Sequence, residues 1–300
     1  LKSWAVQDLY NAGRSLTATQ QGAVFWLIFI AFAVKMPIFP FHTWQPDTYV
    51  TAPTQGTMLL SGIMLKMGTF GVIKWILPVV PLGIEEWGLT AITLSVIGIV
   101  YASCIAIAQQ DFKRMIAYSS IAHVGLIAAG ILSSTQQGVQ GAIMQMLAHG
   151  VNVVGLFFIA DILLRHTGTR DMTQLGGIRN MNGNFALLFL IILLGSVALP
   201  LTNGFVGEFL LINGLYQYSS ILAAFAGLTI ILGAVYMLRA YQCIMLGERK
   251  DSNIAFGSLA GTDKLVLIVV CIVVIVFGVY PKPLNDIAEA ATREILLNLR

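Results

Sequence analysis

Long apolar runs alternate with short polar breaks along the whole chain. The runs fall at about 23–44, 53–78, 88–108, 114–132, 138–164, 184–218, 220–246 and 264–280. A helix needs about 20 apolar residues to cross a ~30 Å hydrocarbon core, so the pattern predicts about eight membrane spans. The run 184–218 is too long for one straight crossing. It holds Pro200, Thr202, Asn203 and Gly204 in its middle and reads as one helix interrupted there. Residues 1–20, with Lys2, Asp8, Arg14, Thr17 and Gln20, read as an interfacial loop. From Leu284 to Arg300, the residues Leu284, Ile287, Ala291, Ile295 and Leu296 recur at helical spacing between charges, which predicts an interfacial helix. The fold class expected is all-α, a polytopic membrane helix bundle forming a single membrane domain over residues 1–300.

Composition strengthens this reading. Of 300 residues, 57% are hydrophobic and 10% charged, with a mean hydropathy of +0.82, whereas soluble domains carry roughly 25% charged residues. A net charge of +3 from scattered basic residues gives no basis for a nucleic-acid partner. Cys104, Cys243 and Cys271 lie far apart in apolar runs and read as small core residues, not as a disulfide framework or thiolate site. His42, His123, His149 and His166 show no metal-ligand spacing, so neither metal nor cofactor is expected in this chain. The chain begins at Leu1 without methionine or signal-peptide pattern, and reads as a fragment of a longer protein.

Charge in the loops sets an orientation. Lys113, Arg114, Arg165, Arg170, Arg179, Arg249, Lys250 and Lys264 gather on one side, while the loops at about 79–87, 133–137 and 219 lack Lys and Arg and include Glu85 and Glu86. The positive-inside rule makes the first side cytoplasmic. The loop 45–52 then faces the cytoplasm and the C-terminus lies outside, although Lys282, Arg293 and Arg300 on the tail run against this.

Ionisable groups within the spans carry the chemistry. Lys74 and Arg239 lie within about two turns of a span end and are explained by snorkelling. Asp161 and Arg165 are spaced to pair on one helix face. Lys35, Lys66 and Glu208 are too central for either explanation, and a charge left dry at that depth costs roughly 2.5–3.5 kcal/mol on insertion scales. They must line a polar interior. A lysine there is a proton carrier whose affinity depends on its neighbours, and His123 and His149 add groups that titrate near neutrality. A mid-membrane proton wire and a structural polar core both fit these residues. Pro37 closely follows Lys35, and Pro200 precedes Glu208 by about two turns; Val34-Lys35-Met36-Pro37 and Val197-Ala198-Leu199-Pro200 repeat one frame. Two discontinuous helices in matching places of two repeats point to an ion pathway.

The stretches KMPIFPFHTWQPD from Lys35, APT from Ala52, SGIMLKMG from Ser61, DFKRMIAYSSIAHVG from Asp111, MLAHG from Met146 and NGFVGEFLL from Asn203 resemble the antiporter-like proton-channel subunits of respiratory complex I, from end to end of the chain. The resemblance implies an inverted-repeat fold, with 21–78 the end of a first repeat, 79–246 the second, and 264–300 the last span and C-terminal interfacial helix. It also implies that Lys35 is the lysine of the first broken helix and Lys66 that of the next helix, that His123 and His149 are the central histidines, and that Glu208 is the glutamate of the second broken helix, where a related branch places lysine. It implies a counter-ion for Lys35 in an earlier helix outside this sequence. Gln45 stands where the family usually has Leu, and Leu201 where Gly is usual.

The function implied is a proton-translocating membrane subunit of NADH-quinone oxidoreductase, in the bacterial inner membrane beside other antiporter-like subunits. Flavin, iron-sulfur clusters and the quinone site are expected in partner subunits. The alternatives are a subunit of a multi-subunit sodium/proton antiporter or of a proton-pumping hydrogenase.

Overall fold

The computed structural model describes residues 5–250 and 256–297; Leu1, Lys2 and Arg300 lie outside them. Twelve helices carry the argument: α1 Val6–Arg14, α2 Ala18–Lys35, α3 Trp44–Thr51, α4 Thr54–Val79, α5 Pro81–Ala108, α6 Phe112–Leu132, α7 Gln136–Thr167, α8 Gly183–Ser196, α9 Asn203–Tyr218, α10 Ser220–Met245, α11 Gly261–Val279 and α12 Lys282–Leu297. Among the described residues, α2, α4, α5, α6, α7, α10 and α11 are long and apolar enough to cross a membrane. The remaining predicted span is divided into α8 and α9.

Several boundaries differ from the sequence expectation, each for a local reason. The polar start is not a loop, since it holds α1 and the first turn of α2. The Thr17 hydroxyl accepts from the Gln20 N–H, and the Gln20 side chain accepts from the Thr17 N–H, a capping box that starts α2 at Ala18. The first span ends at Lys35 because Pro37 cannot donate to the Ala33 carbonyl, which instead accepts from Ile38 N–H at 2.9 Å. Residues 45–51, expected as loop, belong to half-helix α3, where Pro46 falls in the first turn and its missing N–H costs nothing. Pro81 likewise opens α5 at its first position, where its missing N–H is one the helix would leave unpaired anyway.

The break between α8 and α9 is the more strained of the two. Leu199 N–H reaches back to the Leu194 carbonyl at 3.1 Å, and Ala198 and Leu201 both take positive φ, 59° and 73°. A branched side chain at positive φ is unfavourable by roughly 1–2 kcal/mol, whereas glycine is not. Leu201 is 70% exposed and contributes little packing. Leu201→Gly, which installs the residue the family resemblance expects, should therefore stabilise the chain by about 1 kcal/mol. A thermal denaturation midpoint that falls would refute this.

α6 lies at the centre, with nearly every residue buried, and α7 packs beside it. α9 approaches α7 so closely that a side-chain carbon on Gly207 would stand 2.8 Å from the Gln145 backbone nitrogen, and one on Gly214 2.3 Å from that of Gly138. Small residues permit such backbone contact between membrane helices. The predicted tail helix exists as α12 and docks on α7. Ala288 and Thr292 are buried, and Gln140 donates to the Asn285 side-chain oxygen at 2.9 Å.

The end of α3 is held by basic residues from the second half of the chain. Lys113, only 3% exposed, donates to the Ala52 carbonyl at 2.7 Å. Arg170 donates to the Val50 carbonyl at 3.1 Å and pairs with Asp111 at 3.4 Å, and Arg114 pairs with Asp47 at 2.5 Å. Cations at the carboxyl end of a helix complement its dipole. In the adjoining loop, the Thr173 hydroxyl and then its backbone N–H hold the Asp171 carboxyl below the usual carboxylate range.

Candidate functional site

Four of the five residues singled out in the sequence come together in the middle of the bundle. α4 crosses α7 where Gly150 faces the Gly62 carbonyl; a side-chain carbon on Gly150 would lie 3.1 Å from that oxygen. α4 contains two π-helical turns, Leu60–Met64 and Val72–Ile76. In the first of them the Ser61 carbonyl accepts from Lys66 Nζ at 2.6 Å, and the same nitrogen lies 2.7 Å from His149 Nδ1. When Lys66 is an ammonium it only donates, and His149 then accepts at Nδ1 with its own proton on Nε2. Single π turns re-aim side chains at functional positions, and this one turns Lys66 onto α7.

The rings of His149 and His123 follow, 5.4 Å between centroids and tilted by 45°. They make no direct hydrogen bond. His123 Nδ1 lies 2.8 Å from the Ser119 carbonyl, one turn earlier on α6. Its Nε2 lies 3.2 Å from the Ser196 carbonyl, at the end of α8, and 3.3 Å from Glu208 Oε1. With a proton on each ring nitrogen, all of these oxygens are satisfied and His123 faces Glu208 as an imidazolium beside a carboxylate. Transfer of that proton to Glu208 would leave the Ser196 carbonyl opposite a bare nitrogen.

Glu208 is 1% exposed. Gln145 Nε2 donates to its Oε1 at 3.1 Å, and its Oε2 has no hydrogen-bond partner among the described residues. Lys35 stands apart from the row. It is the half-buried last residue of α2, and its Cβ lies 3.4 Å from where a side-chain carbon on Gly68 would stand. That places it beside the α4 turn holding Lys66, but among the described residues its ammonium has no hydrogen-bond or ion-pair partner.

The remaining ionisable groups have structural explanations. Lys74 is exposed and lies 5.9 Å from the centre of the Tyr10 ring. Arg239 reaches the end of α5, where it donates to the carbonyls of Ile107 and Gln109 at 2.5 and 3.0 Å. Asp161 pairs with Arg165 at 2.8 Å as the spacing predicts, and Arg165 also reaches Asp263 at 3.1 Å. Gln45 is fully buried. Among the described residues no group of three or more His, Cys, Asp or Glu could hold a metal ion.

Sequence reasoning passed over Gln145 and Asn152, and took Asn203 only as part of the helix break. Gln145 and Asn152 lie four before and three after His149 in an apolar run, which is one helix face, and that spacing was the available signal. It also passed over Ser119, whose hydroxyl lies 3.0 Å from the buried Tyr236 hydroxyl.

Two interrupted helices flanking a buried row of titratable groups define an antiporter-like membrane subunit. The chain belongs to the family described as NADH:quinone oxidoreductase/Mrp antiporter, transmembrane, whose model matches residues 3–233. It is 43% identical over 278 residues to NADH-quinone oxidoreductase subunit M of Rickettsia typhi, covering 92% of this chain and 56% of that one. Against subunit M of Rhodobacter capsulatus it is 38% identical over 285 residues, covering 95% and 56%. The chain thus spans little more than half the length of these relatives. Among solved structures, a chain of respiratory complex I from Thermus thermophilus with bound NADH superposes with a TM-score of 0.92 at 30% identity, covering 99% of this chain and 63% of that one. A chain of the Mrp complex from Dietzia sp. DQ12-45-1b shares the fold, with a TM-score of 0.84 at 17% identity over 97% of this chain and 64% of that one.

Proposed function

We propose that the chain is a proton-translocating membrane subunit of NADH-quinone oxidoreductase, driven by electron transfer from NADH to quinone in partner subunits. The observation that carries this reading is the joined row Lys66, His149, His123 and Glu208. Lys66 passes charge to His149, the histidines relay it, and Glu208 is the terminal site; Lys35 is the switch at the first break. The names of the relatives support the same assignment. Residues 21–78 close a first repeat, 79–246 form the second, and 264–300 supply the last span and tail helix. The complex resides in a bacterial inner membrane, with the α3 end on the cytoplasmic side and the C-terminus outside. Redox groups belong to partner subunits, other antiporter-like subunits among them being neighbours in the membrane.

Co-purification tests the reading. An affinity-tagged chain is expected to bring down an assembly containing flavin and iron-sulfur clusters that pumps protons on addition of NADH. Recovery with small membrane subunits alone, together with a sodium-dependent pH change, would support the antiporter alternative instead.

A further inference from the structure

The joint between α3 and α4 carries buried hydrogen bonds that the row of titratable groups does not use. Tyr49, on α3, has Pro53 where the next helical donor should stand, and proline has no N–H. The Thr57 hydroxyl supplies a donor instead, 3.0 Å from the Tyr49 carbonyl and 3.2 Å from the Pro53 carbonyl. One turn on, the Ser61 hydroxyl donates to the Thr57 carbonyl at 2.8 Å. Both residues are fully buried. Ser61, within the π turn Leu60–Met64, then offers its own carbonyl to Lys66 Nζ. Hydroxyls bonded back to the preceding turn bend a helix, so two in succession shape the segment that aims Lys66.

The other side of the joint is pinned to α6. Lys113, in the first turn of that helix, donates to the Ala52 carbonyl, the last before Pro53. A buried ammonium is costly unless it is paired, and here its partner is the carboxyl end of α3, whose dipole favours a cation. α6 also carries His123. The contact therefore fixes the start of α4 against the helix of His123, and the hydroxyl pair carries that fixed point along α4 to Lys66.

We propose that Thr57 and Lys113 are positioning residues for Lys66, holding the α3–α4 joint so that the first π turn sets the Lys66 ammonium on His149. Neither handles a proton in transit. Lys113 fixes the joint against α6, Thr57 fixes α4 against α3, and Ser61 passes the constraint one turn further to the carbonyl that Lys66 holds. A relay member displaced by a fraction of the 2.7 Å contact between Lys66 and His149 loses its transfer geometry. This positioning rests on the relay proposed above.

The test uses the assembled complex, with NADH-driven pumping measured in inverted vesicles at equal complex content. Thr57→Val keeps the shape of the side chain and removes its donor, and is expected to lower pumping several-fold; Thr57→Ser, which keeps the hydroxyl, should restore most of it. Lys113→Met, at the other end of the joint, should give a similar loss, and it decides the matter where Thr57→Val does not assemble. The double variants with Lys66→Met distinguish positioning from general weakening of the bundle. Positioning leaves nothing further to lose once Lys66 is gone, so Thr57→Val/Lys66→Met and Lys113→Met/Lys66→Met should pump like Lys66→Met alone, whereas independent effects would multiply. Normal pumping by assembled Thr57→Val or Lys113→Met, no recovery in Thr57→Ser, or a further several-fold loss in either double variant each overturns the positioning. Lys66→Met by itself separates the two readings. If it loses pumping while Thr57→Val and Lys113→Met do not, the positioning alone fails; if it pumps normally, the relay fails at Lys66 and the positioning with it.

Discussion

Assembled complexes carrying Glu208→Gln are expected to lose most of their NADH-driven proton pumping. Glutamine has the same shape, and its carbonyl oxygen can take over the role of Oε1 in accepting from Gln145. The close contact of α7 with α9 around Gly207 therefore persists, and assembly is kept. What disappears is the exchangeable proton and the charge opposite His123. Removing one member of a buried ion pair costs about 3–5 kcal/mol for the charge left behind, so the charged state of the histidine is blocked together with its acceptor. Glu208→Asp keeps the carboxyl but shortens its reach, and should retain part of the pumping. The measurement is the rate of acidification in inverted vesicles at matched amounts of assembled complex. Normal pumping by Glu208→Gln would remove Glu208 from the relay.

The site was legible in sequence because hydrocarbon makes charge conspicuous. Lys35, Lys66 and Glu208 stand out in apolar runs, and Pro37 and Pro200 mark where helices must stop. The spans were legible for the same reason. Their ends were less so, since caps and first-turn prolines, not hydropathy, decide where α2 and α5 begin. Polar residues without charge were harder to weigh. Gln145, Asn152 and Asn203 are individually unremarkable in a membrane helix, and only packing shows Gln145 against Glu208 and the two asparagines beside Gly195.

Other features had no local signature at all. The first π turn of α4 contains no proline, and it becomes meaningful only when Lys66 is seen to reach the Ser61 carbonyl and His149 together. The burial of Lys113 is likewise tertiary. Charge counting assigns it to a basic loop, yet its ammonium closes the end of α3, far away in sequence. That contact, with those of Arg114 and Arg170, ties the half-helix following the Lys35 break to α6, the helix that carries His123. These contacts thus connect the two breaks, although among the described residues Lys35 makes no hydrogen bond or ion pair with another member of the row.

Substitutions at Lys66 separate the proton wire from the structural polar core that fits the same residues. Lys66→Met removes the charge while nearly conserving volume, and both readings predict a loss of pumping from it: one because the carrier is gone, the other because the Ser61 carbonyl and His149 lose their donor. Lys66→Arg divides them. A guanidinium keeps the positive charge and offers more donors than an ammonium, so it can serve both acceptors, but it does not release its proton at any physiological pH. A structural role is satisfied by arginine, and a relay is not. We expect Lys66→Arg to assemble like wild type and to pump as poorly as Lys66→Met, several-fold below wild type at equal complex content. Pumping by Lys66→Arg close to wild type would show that Lys66 holds α4 against α7 electrostatically and that the proton bypasses it.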